Sequence, residues 1–177
     1  MNLGHFEKPL LLFGGSYSNL DTLIALKQKA ELLGIASEHV ICAGDIVAYC
    51  GQPHETVEYI RDWGIYVLMG NCEESFAIDA DGCGFGEGTG CDLLSVEWFQ
   101  FANRRLSEDQ RAWFLKLPTS LIFILGERRV HVVHGSPTSI NQFIFASTDT
   151  QNSTVNSRIL KQILLSLAIA AFLLLKK

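Results

Sequence analysis

Apolar positions along the chain fall into short runs separated by stretches of helical spacing. Leu10–Phe13 is an unbroken apolar run between a proline and a glycine pair, and it reads as a buried strand. Asn19 or Asp21 can cap a helix through LIALKQKAELLG, with Gly34 as its stop. HVICAG reads as a second strand that ends at Gly44-Asp45. Pro53 opens a helix to about Trp63, and Gly64 closes it. IYVLMG is then a third strand, ending at Gly70-Asn71. This alternation with short connections predicts a parallel sheet covered on both faces.

Further along, helices are expected over 93–104 and 107–117, the second capped by Ser107. SLIFILG and RVHVVHG predict two strands around a turn at Glu127-Arg128. Between these halves lies DADGCGFGEGTGC, residues 79–91, with five glycines at alternate positions from Gly82 to Gly90. No regular element is expected to survive that spacing, so the stretch reads as a loop. It lacks the Lys-Ser/Thr pair of a P-loop, and the gap from Cys83 to Cys91 is not a zinc-ribbon spacing. Trp63, Trp98 and Trp113 fall in helical patterns and are expected in the core.

Composition narrows the class. The chain has 177 residues, 48% of them apolar and 19% charged, which suits one globular domain with its own core. The net charge of −5 and the lack of a basic run argue against a nucleic-acid surface. Five cysteines, an odd number, with no secretory pattern before them predict free thiols and a cytoplasmic protein. The tail departs from the rest. Residues 148–157 are polar, and 163–175 are almost wholly apolar. These thirteen residues fall short of the roughly 20 that a spanning helix needs. They read as a buried or interfacial helix, with a membrane tether as the alternative. The expected division is a domain over 1–147 and an aberrant apolar tail over 148–177.

Three polar signals share one placement. Gly44-Asp45, Gly70-Asn71 and His134-Gly135 each follow an expected strand. Carboxylate, amide and imidazole at one crevice form a hard donor set for a divalent ion able to polarise a phosphoryl group and activate water. Each alone has an ordinary reading: Asp45 as a turn residue, Asn71 as a helix cap, His134 as a satisfied strand-end histidine.

In order and spacing, CAGDIVAYC, MGNCEES and VVHGSP resemble successive motifs of the calcineurin-like metallophosphoesterase superfamily, over roughly residues 10–145. The resemblance implies a four-layer αββα sandwich, incomplete at its C-terminal end, and hydrolysis of phosphomonoesters or phosphodiesters at a two-metal centre. It implies that Asp45 bridges the metals and that Asn71 and His134 bind the second one. Cys72 stands where the family has a histidine that protonates the leaving group, and Glu73 keeps the family's acidic neighbour. In the first motif Gly15 replaces an aspartate and Tyr17 a histidine, and Asn19 persists. The losses fall on the first metal, so one ion (manganese, iron, zinc or magnesium) is expected more than two. The implied partner is a small phosphate ester. A non-catalytic binding protein on the same scaffold is the rival reading, and a membrane-tethered protein the next.

The family's last motif, Gly-His-x-His, is missing from 138–177. With permitted codons, residues 167–176 read one nucleotide earlier give Gly-His-Cys-Gly-Ile-Pro-Phe-Thr-Lys. A one-nucleotide deletion near 150–159 is therefore expected, and a chain so altered would lack the last strands of the second sheet.

Overall fold

The computed structural model describes residues 1–82, 90–142, 162–166 and 172–175. Leu10–Phe13 (β2), Val40–Cys42 (β3) and Tyr66–Val67 (β4) form the expected parallel strands, with β3 between the other two. Each β2 residue is buried. Leu11 and Phe13 face one apolar cluster, Leu10 and Leu12 the other, so both faces of the strand are covered. This is why the sequence shows an unbroken run there and not an alternation.

The first cluster lies between this sheet and the helices α1 (Leu20–Leu32), α2 (Pro53–Trp63), α3 (Asn71–Ala77), α4 (Gly90–Asn103) and α5 (Glu108–Phe114). Asn19 caps α1 by accepting the Thr22 N–H, and Gly64 ends α2 in the left-handed conformation at φ 70°. Ser107 and Gln110 close a capping box on α5. Trp63 is buried, whereas Trp98 and Trp113 are half-buried against the same cluster.

The second cluster joins the two sheets. Leu121, Phe123 and Leu125 of β5 (Ser120–Leu125) and Val130 and Val132 of β6 (Arg128–Val133) meet Leu10, Leu12 and Ile41. β5 and β6 are antiparallel neighbours in a sheet ordered β1 (Asn2–Phe6), β5, β6, β7 (Gln162–Ser166). Helices, sheet and sheet supply three layers of an αββα sandwich. No helix residue joins the second cluster among the described residues.

Three expectations change. β1 (Asn2–Phe6) pairs in parallel with β5 and was not expected, because its residues are mostly exposed and Gly4 takes φ 77°. The glycine-rich stretch was read as a loop through Cys91, yet α4 begins at Gly90; residues 83–89 lie outside those described. The apolar tail is not helical where it is described. Gln162–Ser166 (β7) pairs in parallel with β6, and Phe172–Leu175 (β8) pairs antiparallel with β2. Two sheet edges consume the hydrophobicity that a helix face would have used. Among the described residues no helix is long and apolar enough to cross a membrane. The 147/148 boundary and the deletion expected near 150–159 lie outside the described residues.

Candidate metal centre

The sequence placed Asp45, Asn71 and His134 on one parallel edge, but the structure draws them from two sheets. Asp45 follows β3 and Asn71 follows β4 in one sheet, whereas His134 follows β6 in the other. They meet where the strand ends converge. His134 Nε2 lies 3.0 Å from Asn71 Oδ1 and 3.5 Å from Asp45 Oδ2. The other ring nitrogen, Nδ1, is 2.7 Å from the Ala43 carbonyl and must carry a proton to make that bond. In the neutral ring Nε2 then presents a lone pair to two oxygens. A proton on the Asp45 carboxyl, a turned Asn71 amide or a cation at the meeting point resolves that conflict, and two oxygens with an imidazole nitrogen are a suitable donor set for a divalent ion. The Ala43 bond is the kind of outer contact that fixes a ligating imidazole. No group of three His, Cys, Asp or Glu side chains gathers among the described residues, and here the third donor is an amide.

Close backbone approach makes this convergence possible. Gly44 adopts φ +94°, and a Cβ on it would lie 2.5 Å from the Gly70 nitrogen. A Cβ on Gly70 would lie 2.5 Å from the Asp45 nitrogen. The two glycines let the β3 and β4 exits approach each other. Asp45 itself takes φ 54°, and Tyr17 and Ser18 take 53° and 58°. Such conformations are costly for side-chain-bearing residues, and they cluster at functional sites.

Glu73 holds this arrangement from beneath. Its fully buried carboxylate accepts four backbone N–H bonds: Asp45 (2.7 Å) and Gly70 (3.0 Å) on Oε2, Ile46 (2.8 Å) and Val47 (3.2 Å) on Oε1. The Gly70 bond is half of a capping box on α3, the one part that the spacing GNCE announces. Cys72 is 2% exposed and its sulfur belongs to the helix-side core, while its N–H reaches Asp45 Oδ1 at 3.4 Å.

Burial raises the Asp45 carboxyl above its ordinary range, against the pull of His134. Burial, with repulsion from Asp45 second, pushes Glu73 up to about 8, against the N–H bonds that lower it. Both shifts have the same sign. Well below 3.8, the lower of their two ordinary values, both carboxyls are protonated folded or unfolded. As pH rises toward 8 the unfolded chain releases protons that the folded one retains, so stability falls. The metal-free protein is thus expected to have a lower urea midpoint at pH 8 than at pH 5.5, with the difference reduced by manganese.

The first-motif loop is closed against Asp45. Tyr17 N–H donates to the Asp45 carbonyl (3.2 Å), Ser18 N–H to Ile46 (2.7 Å), and the buried Ser18 hydroxyl accepts from Ala48 N–H (3.2 Å). A Cβ on Gly15 would lie 2.5 Å from the Asp45 carbonyl oxygen and 2.6 Å from the Tyr17 ring. No side chain fits at position 15 unless this loop opens. Sequence reasoning missed this zipper; the two serines flanking Tyr17 were its only trace.

The profile of the calcineurin-like phosphoesterase family matches residues 8–171. Among solved structures, a metallophosphoesterase from Sphaerobacter thermophilus is similar at 24% identity with a TM-score of 0.57, over 79% of this chain and 52% of that one. A hypothetical protein from Pyrococcus horikoshii OT3 is similar at 19% identity with a TM-score of 0.64, over 85% and 62%. The chain therefore spans about half to three-fifths of these relatives. No curated protein matches. Two packed sheets, a strand-end meeting of Asp45, Asn71 and His134, and a profile match over most of the sequence lead to one assignment: this chain belongs to the calcineurin-like phosphoesterase family.

Proposed function

We propose that this chain is a metal-dependent phosphoesterase that holds one divalent ion through Asp45, Asn71 and His134 and acts on a small phosphate ester. The observation that carries the reading is His134: its Nδ1 proton is committed to Ala43, and its Nε2 faces two side-chain oxygens. A divalent ion bound there supplies Lewis acidity toward a phosphoryl oxygen and acidifies water enough for attack near neutral pH. Manganese, iron, zinc and magnesium all suit the donor set. Ala43 orients His134, and Glu73 fixes the Asp45 loop. In this reading Cys72 supports Asp45 through its N–H, and its thiol, beside Asp45 and 3.9 Å from Asn71 Nδ2, is the group that takes the place of the family's leaving-group histidine. The crowding at Gly15 supports one ion over two.

The test is a calorimetric titration of chelator-treated protein with manganese, paired with hydrolysis of bis(para-nitrophenyl) phosphate. One ion per chain and manganese-dependent turnover are expected. Two equivalent tight sites would overturn the single-ion reading. Ion binding without turnover on a panel of mono- and diesters would favour the non-catalytic binding protein, which the loss of the family's leaving-group histidine at Cys72 also supports. The gene's nucleotide sequence across 145–177 decides whether another frame encodes Gly-His after HGSP; if none does, the deletion reading is abandoned.

A further inference from the structure

Aromatic rings form a wall that leads away from Asp45. Tyr17, whose N–H is bonded to the Asp45 carbonyl, lies 5.3 Å from Tyr49 between ring centroids. Tyr49 in turn lies 5.0 Å from Trp98 at an interplanar angle of 61°. Tyr49 is 56% exposed and takes φ 41°, an unfavourable backbone conformation for a bulky residue. Exposure and backbone cost together are more than a merely packed ring requires.

Beyond this wall is an open, solvent-facing cavity of about 450 Å³, bordered by Tyr49, Gly51, Glu97, Trp98, Phe101 and Arg104. Its volume falls in the range of small-molecule sites. Glu97 and Phe101, spaced i and i+4 on α4, share one helix face, and Arg104 follows directly after the helix ends at Asn103. A carboxylate marks one end, a guanidinium the other, and rings lie between them. Arg105 packs 3.6 Å from the centroid of the Phe101 ring and adds positive charge nearby.

We propose that this cavity seats a planar heteroaromatic group carried by the substrate, of the kind a nucleotide ester supplies. The π-faces of Tyr49, Trp98 and Phe101 provide stacking that any flat ring accepts. Glu97 and Arg104 supply what a plain phenyl ring cannot use: an acceptor for ring N–H or amino groups and a donor for ring nitrogens or carbonyls. Contacts from Tyr49 through Tyr17 to the Asp45 backbone link the cavity to the loop that carries the metal centre, and only the phosphate end of the assignment rests on the phosphoesterase reading.

Saturation-transfer NMR with adenosine, which carries no phosphate, tests the cavity on chelator-treated protein. Adenine protons are expected to receive saturation, and Trp98→Ala is expected to weaken binding about tenfold, as loss of one stacking partner does. Arg104→Ala, at an exposed position, preserves the fold and is expected to weaken it about threefold. N-acetyltyrosinamide, flat but without a polar ring edge, is expected to bind several-fold more weakly than adenosine. Absence of adenosine binding, binding unchanged in both variants, or equal binding of the tyrosine derivative overturns the proposal. Adenosine binding by a chain that hydrolyses no ester supports the cavity and counts against the phosphoesterase reading; hydrolysis without adenosine binding does the reverse.

Discussion

Asp45→Asn is expected to abolish manganese binding and hydrolysis while making the metal-free protein more stable, by about 1–3 kcal/mol. Asparagine is among the residues that best tolerate the left-handed backbone at φ 54°, so the change carries little conformational cost. The Asn oxygen keeps the bond from Cys72 N–H. The new amide group faces His134 Nε2, whose lone pair now finds a donor in place of a carboxylate oxygen 3.5 Å away. One buried charge beside Glu73 also disappears, relieving the repulsion that helps to raise the Glu73 carboxyl. Urea midpoints of chelated parent and variant, with manganese calorimetry, measure both effects. A variant less stable than the parent would show that Asp45 is already well compensated without an ion.

Glu73→Gln should move stability the other way, by about 4 kcal/mol. Both glutamate oxygens accept two N–H bonds each. Charged or neutral, a carboxyl keeps lone pairs on both oxygens, whereas an amide nitrogen has none. Whichever way the glutamine turns, two buried N–H groups face an N–H₂ group. They belong either to Asp45 and Gly70 or to Ile46 and Val47, so the loop carrying Asp45 comes loose in both orientations. A large drop in urea midpoint at unchanged m-value is expected, with weaker manganese binding in whatever fraction stays folded. A loss under 1 kcal/mol would mean that the loop holds without this carboxylate. Amidating two neighbouring carboxylates thus has opposite results, because one carboxylate faces acceptors and the other faces donors.

The helix-side half of the fold was legible because its signals are local. Pro53 and Gly64 bracket α2, Ser107 caps α5, and the apolar run of β2 announces a strand buried on both faces. The tail was not legible, because a short apolar run has no period that separates strand from helix. What decided the matter was pairing with β6 and β2, strands remote in sequence. Asp45, Asn71 and His134 could be picked out by type and by their place after strands. That His134 reaches them from another sheet, held by Ala43, depends on sheet packing that no local pattern encodes. Glu73 was named by its neighbourhood; its hold on four N–H groups is a tertiary property of the Asp45 turn.

The pairing of Leu10 with Leu175 has a consequence for biosynthesis. β2 is an interior strand, flanked by β3 on one side and β8 on the other. On a ribosome, β2 and β3 emerge long before β8, the strand that completes their sheet at residues 172–175. Throughout that interval β2 presents a bare apolar edge able to pair with another nascent chain. Yield in a cell should therefore depend on translation speed and on chaperones that shield the edge, even where the finished protein is stable.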